Sequence, residues 1–538
     1  MDLNHFMVKN QSFNQITLDR LRAGYVPCTS LELMEIRTFL LDADHSLRNH
    51  ERENQGFQPA RTQLLRAEIT LAIANAQALT SPIRKLPSEL LCEIFDYYVG
   101  DALSDPRVER TTRVICPVIF LTWVCSFWRN LSWARPLSWS SPFISFTALL
   151  QHPTQIDFFQ YCMAQSANAT TLDITIIHGK NETDEPLIHA VYDTLFEHCS
   201  RWHSFSSLSD WGGEKWNIYT EGWALDSGLD LFPNLKSLQW EEAQAPLELL
   251  DSCPQLQIYR AGHLSISPNQ YHLFSNLREL SIGYMESYSV RDVLYRMPLL
   301  EKFVLWQFNP VWDVEGYTSI VCSNISTLCV SLEAIRYVDT WESLQFPGLR
   351  VLELGGEQFT ELNSNDEDEE ELEMYCRAIV DFSKILSNAG SILQTVKLEG
   401  IPGKEAVAFL SLHPSISDLT LLMLYRGCQD FFIGLDISQN SGPAIVLPKL
   451  CSLSISIDEL PEIYDIHTIS DKLCQLVESR SNTSRNVVTL ENLALESDFQ
   501  MSPAGVLVYA RLSDRMTILA KKREDFYIES TFPLQLYG

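Results

Sequence analysis

Residues 346–354 read FPGLRVLEL, a Phe-Pro-Gly turn followed by three leucines. Leu349, Leu352 and Leu354 fit the pattern L-x-x-L-x-L, and a strand points alternate side chains to the same side. The last two leucines therefore predict a short strand with one buried face. Six similar phrases occur elsewhere: FPNLKSLQW (232–240), CPQLQIY (253–259), FSNLRELSI (274–282), MPLLEKFVL (297–305), HPSISDLTL (413–421) and LPKLCSLSI (447–455).

The spacing of these phrases predicts a repeat fold. With a weaker copy at 323–330, their second residues lie at 233, 254, 275, 298, 324 and 347, in steps of 21, 21, 23, 26 and 23. Such a period is typical of a leucine-rich solenoid, in which each repeat needs its neighbours to bury its apolar edge. The Asn or Cys that usually ends the phrase is missing, so the repeats are irregular. Return helices are expected at 246–253, 290–297 and 376–390.

The N-terminal part is predicted to be separate from the repeats. Residues 1–28 are expected to form a flexible N-terminus. Residues 29–80 carry leucines at helical spacing with few breakers, which predicts two helices joined near 56–59. A helical hairpin and a short coiled coil both fit this pattern. The segment is then either a stabilising N-terminal cap or a dimerisation element.

Residues 86–95, LPSELLCEIF, lie near the start of segment 81–145, the most informative part of the chain. Pro87 suits the first turn of a helix, because its φ is fixed and an N–H would have no partner there. Apolar side chains then form one stripe, and two further apolar clusters follow. The stripe contains Leu90, Leu91, Ile94, Phe95 and Tyr98; a second helix carries Phe120, Trp123, Val124, Phe127 and Trp128; and the third cluster contains Leu131, Trp133, Leu137 and Trp139.

The stripe of the first helix has more apolar surface than a segment of this size buries alone. Leaving five large apolar side chains in water would forgo about 1.5 to 3 kcal/mol each, roughly 10 kcal/mol in total. The neighbouring helices are expected to cover part of the stripe. The remainder is expected to bind a partner.

The order and identity of these residues resemble the F-box family. Its pattern is Leu-Pro, an acidic residue, a leucine pair and Ile-Phe, followed by Val-Cys, Trp-Arg and a final Pro-Leu-Trp. The stretch between Tyr98 and Ile119 is longer than in a compact F-box, so an inserted loop is expected at 99–118. The matching residues are Leu86, Pro87, Glu89, Leu90, Leu91, Ile94, Phe95, Val124, Cys125, Trp128, Arg129, Pro136, Leu137 and Trp139.

The resemblance implies a non-catalytic substrate receptor of a Skp/cullin/F-box ubiquitin ligase, as in fungal F-box proteins with a leucine-rich C-terminal part. The F-box would bind the Skp adaptor, and through it a cullin, while the solenoid would hold a target protein. The alternative is a leucine-rich scaffold that is not assembled into a ligase. The adaptor-binding residues that the resemblance implies are Leu86, Pro87, Leu90, Leu91, Ile94, Phe95, Val124, Cys125, Trp128, Leu137 and Trp139.

The chain contains none of the commonest local enzyme signatures. G-x-S-x-G, H-E-x-x-H and G-x-G-x-x-G are absent, so we expect neither an enzyme nor a bound cofactor. A Ser/His/Asp site assembled from distant residues would leave no local pattern, so an enzyme stays open as a third class. His198, Cys199 and His203 lack the second cysteine pair of a zinc site, which favours a core or surface role over metal binding.

Net charge limits the classes of partner. The chain has 40 basic and 69 acidic residues, a formal net charge of −29. Residues 1–150 contain 15 of each, which leaves 25 basic and 54 acidic residues in 151–538. Because an acidic surface repels phosphate groups, neither nucleic acid nor a membrane is expected as a partner. A target protein with a basic patch is favoured.

Cysteine usage and the N-terminal residues indicate a cytoplasmic or nuclear protein. The 13 cysteines are scattered singly, mostly in apolar runs, without the pattern of a disulfide framework. The first residues lack the basic-then-apolar order of a signal peptide. The densest apolar run, 114–125, is too short to cross a bilayer.

An acidic tract interrupts the repeats: NDEDEEELE, residues 365–373, has seven carboxylates in nine positions. A solvated insertion at 363–373 is favoured over a docking tract for a basic partner. The expected fold class is therefore α/β (α+β). N-terminal helices and a helical F-box domain at 81–145 are followed by an irregular leucine-rich-repeat-like solenoid at 146–538.

Overall fold

The computed structural model shows a mixed α/β chain with a large parallel sheet. The chain divides into two units, Met1–Trp211 and Gly212–Gly538. This division differs from the expected boundary after residue 145, because strands that follow that residue belong to the first unit. The structure describes residues 3–22, 25–27, 29–53, 60–104, 116–152, 154–178, 185–209, 232–240, 250–264, 272–285, 290–308, 319–355, 368–422, 428–436, 445–456, 466–480, 488–496 and 527–531.

The first unit begins with α1 (Leu3–Arg22), α2 (Ser30–Glu53) and α3 (Ala60–Thr80). A capping box begins α2: the Glu32 amide donates to Thr29 Oγ1, and the Thr29 amide donates to Glu32 Oε2, both at 3.2 Å. The expected flexible N-terminus is instead mostly the helix α1, because its apolar side chains enter a shared core. That core contains Phe6, Ile36, Phe39, Ala43, Ile69, Ala72, Ala76 and Leu79.

Three short helices follow: α4 (Ser88–Ser104), α5 (Val118–Val124) and α6 (Ser126–Trp133). The second helix that the sequence predicted is two helices, because Cys125 between α5 and α6 has extended backbone angles. The first helix continues to Ser104, so it includes the first residues of the expected loop, and residues 105–115 lie outside the described chain. Two 3-10 helices flank the group, Pro82–Lys85 and Pro136–Trp139.

A three-stranded parallel sheet completes the first unit. Its strands pair in the order β1, β2, β3. Helices on its connections bury aromatic side chains such as Phe146 and Tyr192, whose ring centroids lie 5.5 Å apart. The elements are β1 (Phe143–Ser145), α7 (Phe146–Gln151), α8 (Gln155–Gln165), β2 (Leu172–His178), α9 (Glu185–Phe196) and β3 (Trp202–Ser209).

The strands of the second unit are all parallel where their pairing is described. Eleven of them pair in chain order, while β8 and β10 form a separate two-stranded ladder. The strands are β4 (Ser237–Trp240), β5 (Ile258–Leu264), β6 (Glu279–Met285), β7 (Lys302–Phe308), β8 (Ile320–Val321), β9 (Thr327–Ser331), β10 (Leu344–Gln345), β11 (Val351–Gly355), β12 (Thr395–Glu399), β13 (Asp418–Leu422), β14 (Ser452–Ser456), β15 (Asn492–Glu496) and β16 (Tyr527–Thr531).

Helices connect several of these strands, as parallel pairing requires. Two expected return helices, at 290–297 and 376–390, are α10 and α13, and α13 starts earlier than expected, within the acidic tract. The third, at 246–253, lies mostly outside the described residues. No helix of the described chain is long and apolar enough to cross a membrane. The helices are α10 (Val290–Arg296), α11 (Leu332–Ile335), α12 (Val338–Glu342), α13 (Asp368–Asn388), α14 (Gly403–Ser411), α15 (Cys428–Leu435) and α16 (Ile466–Arg480).

The repeated leucines form one buried side of this sheet. Leu328, Leu352 and Val396 are in register on adjacent strands and are fully buried. Within each strand, the residues that alternate with these buried ones point to the other side of the sheet, which we call the open face. The L-x-L spacing thus gives each strand one apolar side. A single repeat cannot bury that side alone, so the strands must lie next to one another.

The same hydrogen-bonded junction joins successive strands. The carbonyl of the residue before one strand accepts two consecutive amides from the start of the next: Lys236 O accepts from Gln257 at 2.8 Å and from Ile258 at 2.9 Å. Nine such junctions occur between β4 and β15 in the described residues. They fix the register of each strand they join, from β5 to β15 in the main sheet, against the strand before it.

Candidate functional site

The F-box-like segment, residues 81–145, is organised around a small core beneath α4. The helix begins directly after Pro87, whose carbonyl accepts from the Leu91 amide at 3.1 Å. Phe95 and Trp128 meet with their ring centroids 4.8 Å apart, which ties α4 to α6. The core residues are Phe95, Val99, Cys116, Val118, Leu121, Trp139 and Cys162.

A sharp corner between α5 and α6 is held by two hydrogen bonds. Cys125 is the N-cap of α6, and its Sγ accepts from the Trp128 amide at 3.5 Å. The Arg129 side chain donates from Nε to the carbonyl of Thr122 at 3.0 Å, which satisfies a carbonyl near the end of α5. The Val-Cys and Trp-Arg pairs of the motif therefore build this corner.

The end of the segment is held in place by the buried Trp139 and by an ion pair of Arg135. Trp139 is fully buried, and its indole Nε1 donates to the Ser132 carbonyl at 3.0 Å. Arg135 Nη2 lies 2.6 Å from Asp96 Oδ2 on α4. Both partners of this ion pair are partly exposed, so we assign it a positioning role and little net stability.

The eleven residues predicted to bind an adaptor separate into core and surface groups. Leu91, Phe95 and Trp139 are fully buried, so they stabilise the segment and their side chains are not on its surface. Leu86, Cys125 and Trp128 are half-buried. The exposed members are Pro87, Leu90, Ile94, Val124 and Leu137.

Six further exposed apolar side chains of the segment were not among the predicted binding residues: Ile83, Tyr97, Tyr98, Phe120, Trp123 and Trp133. Tyr97 lies on α4, and Phe120 and Trp123 on α5 meet edge to face with centroids 5.4 Å apart. In the sequence, these three residues belong to apolar runs with more apolar positions than one buried stripe of a helix can hold. We define the exposed apolar set as Leu90, Ile94, Tyr97, Phe120, Trp123 and Val124.

Exposed apolar side chains are concentrated in this part of the chain. Of 26 large apolar side chains that are exposed in the described residues, ten lie from Ile83 to Leu137. That stretch contains 44 of the 379 residues that the structure describes, about one in nine. Single exposed apolar residues are normal on a protein surface, whereas clusters of them are typical of interaction surfaces.

The exposed apolar set is large enough to contribute to binding. Its members are between 43% and 78% exposed. Covering roughly half of a large apolar side chain is worth about 1 kcal/mol, so the six together offer about 6 kcal/mol before the costs of association. They lie on α4 and α5, two helices that contact each other.

Several thiols of the described chain are held in the protonated form by burial. The eleven cysteines whose side chains the structure describes are free. A hydrogen bond with the Cys116 thiol, together with burial, raises the pKa of Cys162 far above its ordinary value. Burial likewise raises the pKa of Cys253 and Cys376 to about 12. The reactive thiolate is thereby disfavoured at neutral pH.

One buried serine–histidine contact resembles part of a catalytic site but serves the core. Ser383 Oγ donates to the Phe409 carbonyl at 3.2 Å and lies 3.2 Å from His413 Nε2. Both side chains are buried between α13 and the region after α14. Burial lowers the pKa of His413 to about 4, so it is neutral at pH 7. A substrate cannot reach either group in this structure.

His198 lies shortly before β3, and His203 is the second residue of that strand. His203 Nδ1 lies 3.2 Å from Asp173 Oδ1 on the neighbouring strand, while burial lowers the pKa of His198. In the part of the chain that the structure describes, no group of three or more His, Cys, Asp or Glu side chains could hold a metal ion.

Comparison with known proteins gives no family for this chain. No family model matches it, and no curated protein matches it significantly.

Proposed function

We propose that the protein is a substrate receptor of a Skp/cullin/F-box ubiquitin ligase and has no catalytic site of its own. The observation that supports this is the concentration of exposed apolar side chains in the segment whose sequence resembles an F-box. In this proposal the Skp adaptor covers the exposed apolar set, with Pro87 and Leu137 at its margin.

The packing beneath α4 suits this role. A binding surface contributes most affinity when its side chains are already held in place, since ordering them on binding costs free energy. Phe95, Trp128 and Trp139 hold α4, α6 and the final 3-10 helix together, and the Asp96–Arg135 pair adds a second tie. Leu90 and Ile94 are thus displayed from a packed helix.

In the same proposal, the parallel strands of the second unit are an irregular leucine-rich-repeat solenoid that binds the target. Its period, buried leucines and repeated strand junctions support this reading. The complex would act by proximity, because it holds a target near a ubiquitin-conjugating enzyme supplied by another subunit.

Capture of the purified Skp adaptor by the intact protein tests the proposal directly. We expect retention of the adaptor, and weaker retention after Leu86→Ala and Pro87→Ala with the remainder of the protein still folded. Leu64→Ala with Leu71→Ala on α3 is the matched control, since both side chains are exposed and lie outside the segment. Absence of adaptor binding, under conditions where other F-box proteins bind, would refute the ligase role.

The alternative is a leucine-rich scaffold that is not assembled into a ligase. It is favoured if the intact protein ignores the adaptor yet purifies from cells with a stable protein partner. Purification with the proteasome blocked distinguishes the two functions, because a receptor should retain both the adaptor and an accumulated target.

A further inference from the structure

The open face of β5, β6 and β7 carries two unlike rows of residues. Toward the start of the strands lie Arg260, Glu279 and Lys302; toward their ends lie Gly262, Gly283 and Trp306. The side chains of Tyr259, Leu280 and Phe303 point to the opposite side and are fully buried. The charged row and the glycine–tryptophan row are therefore on the same surface of the second unit.

The charged row contains two cations around one carboxylate. Arg260 donates from Nε to Glu279 Oε1 at 3.0 Å, and Lys302 Nζ lies 3.4 Å from the same oxygen. Arg260 and Lys302 are 44% and 41% exposed, whereas Glu279 is 16% exposed. The trio has a net charge of +1, and its cations are the outermost groups.

Exposed apolar surface lies beside this cationic trio. Trp306 is 42% exposed and is four residues beyond Lys302 on β7. On one side of Trp306 the next two strands carry Gly283 and Gly262, and a Cβ on Gly283 would lie only 2.5 Å from the Gly262 carbonyl oxygen. On the other side, the Ser331 hydroxyl donates to the Trp306 carbonyl. Beyond the glycines, the His263 and Tyr284 rings stack with centroids 5.4 Å apart. Gly262 and Gly283 have no side chains, and their strands approach each other closely at this level.

We propose that this surface binds an acidic, extended peptide segment of the target protein. Carboxylates of the segment would lie against Lys302 and Arg260, and an aromatic side chain would pack on Trp306 above the glycines. Charge complementarity selects an acidic segment, although the whole chain is acidic and favoured a basic target. The proposal deepens the target-binding role above and rests on it.

Other charged groups on this face do not reverse the local charge. Arg278 pairs with Glu301 just before the strands, which neutralises both. On the following strands, Glu353 on β11 is in register with Cys329 on β9 and with Lys397 on β12. Burial raises the pKa of Cys329 to about 12, and Glu353 adds to that shift. Glu399 lies 4.0 Å from Lys397. Glu353, Lys397 and Glu399 sum to −1, but they lie on β11 and β12, so the trio on β5, β6 and β7 keeps its own net charge of +1.

Strand geometry sets the spacing of the probe. Lys302, Arg260 and Trp306 lie at successive alternate levels along the strands, and an extended peptide also repeats its side chains at every second residue. A fluorescein-labelled Gly-Ser-Glu-Ser-Glu-Ser-Phe-Ser-Gly peptide and its reversed sequence match these levels. Replacing both Glu by Lys, or Phe by Ala, gives the control peptides.

Fluorescence anisotropy with the full-length protein tests the proposal. We expect one or both acidic peptides to bind at least tenfold more tightly than the Lys peptide, with affinity falling as salt rises. Arg260→Gln with Lys302→Gln should weaken binding about tenfold, and Trp306→Ala should also weaken it. Arg377→Gln and Tyr295→Ala, two exposed helical positions, are controls that should leave it unchanged.

Two results would overturn the inference: equal binding of the acidic and basic peptides, or unchanged binding after both the cation and the tryptophan substitutions. Circular dichroism of each variant shows that the sheet is intact. Adaptor capture is measured on the same samples. Peptide binding without adaptor capture would leave this surface in place while rejecting the ligase role, and the reverse result would reject only the surface.

Discussion

Arg480 donates a hydrogen bond from Nη1 to the carbonyl oxygen of Leu447 at 2.8 Å. Leu447 has a φ of 52°, in the left-handed region that residues with a Cβ rarely adopt. The same guanidinium donates to Leu435 O at 3.2 Å and to Val446 O at 2.7 Å. One buried side chain therefore fixes the backbone at the end of α15 and again before β14.

Replacing Arg480 by Met should destabilise the second unit by about 3 kcal/mol, because the buried carbonyls of Leu435 and Leu447 and the partly buried carbonyl of Val446 would lose their donor. Urea unfolding followed by circular dichroism measures the loss. Arg377→Met on the exposed surface of α13 is the control, and it should shift the midpoint little. Equal midpoints for the two variants would mean that Arg480 is dispensable.

Leu90→Asp combined with Ile94→Asp should abolish adaptor capture while the first unit stays folded, because both side chains are exposed on α4. Leu91→Asp should instead unfold the segment, since that side chain is fully buried and a carboxylate there would lack a partner. Pull-down and thermal unfolding of the same samples separate the two effects. Loss of folding in the Leu90 and Ile94 variant would show that these side chains belong to the core.

Stability should fall in mild acid because of His413. The pKa of this histidine is about 4 in the folded chain, below the ordinary 6.5. As the pH falls, the unfolded chain therefore binds the proton before the folded chain does. The free energy of unfolding should decrease by about 3 kcal/mol between pH 6.5 and pH 4.

The corresponding positions of other phrases hold apolar residues, such as Cys253 and Leu447, so His413→Leu should fold. Unfolding titrations from pH 7 to pH 4 compare this variant with the parent protein. A pH slope as steep in the variant as in the parent would place the titrating group elsewhere.

Two glycines should respond oppositely to alanine. Gly100 lies within α4 and has open space where a Cβ would be, so Gly100→Ala should raise the free energy of unfolding by about 0.5–1 kcal/mol. Gly283→Ala should lower it by about 1–3 kcal/mol, because its Cβ would collide with the Gly262 carbonyl. Chemical denaturation of the pair measures both. A gain at Gly283 would imply that β5 and β6 move apart without cost.

The sequence was sufficient to locate most strands of the second unit. Each L-x-L phrase from FPNLKSLQW to LPKLCSLSI contains or leads into a strand, and two of the three expected return helices lie near their predicted places. These features depend on local spacing alone, since alternate positions define the buried side of a strand. The expected solvated insertion was harder to place, because its acidic residues from Asp368 begin a helix whose later turns are apolar.

The candidate binding residues on α4 could not be sorted from the sequence. Leu90, Leu91, Ile94 and Phe95 appeared as one apolar stripe, yet Leu91 and Phe95 are buried while Leu90 and Ile94 are exposed. A helix with two adjoining apolar faces gives no local signal for which face enters the core. That choice depends on Trp128 and Trp139, which arrive from later in the chain.

The cationic trio was equally hidden, for a different reason. Arg260 and Glu279 are 19 residues apart in the chain and meet only because β5 and β6 are in register. Total charge predicted an acidic surface, since a sum over residues contains no information on which groups are outermost. Register on the sheet is what brings the cations to the surface.

The repeated junction between strands has a consequence for how such a chain changes over generations. Each carbonyl accepts its two amides only from the next strand, and the bonds are the same at nine places. Duplicating or deleting one phrase together with its return segment would recreate an equivalent junction and leave the others untouched. The number of strands can therefore change by one repeat at a time during evolution, without any change in the N-terminal helices.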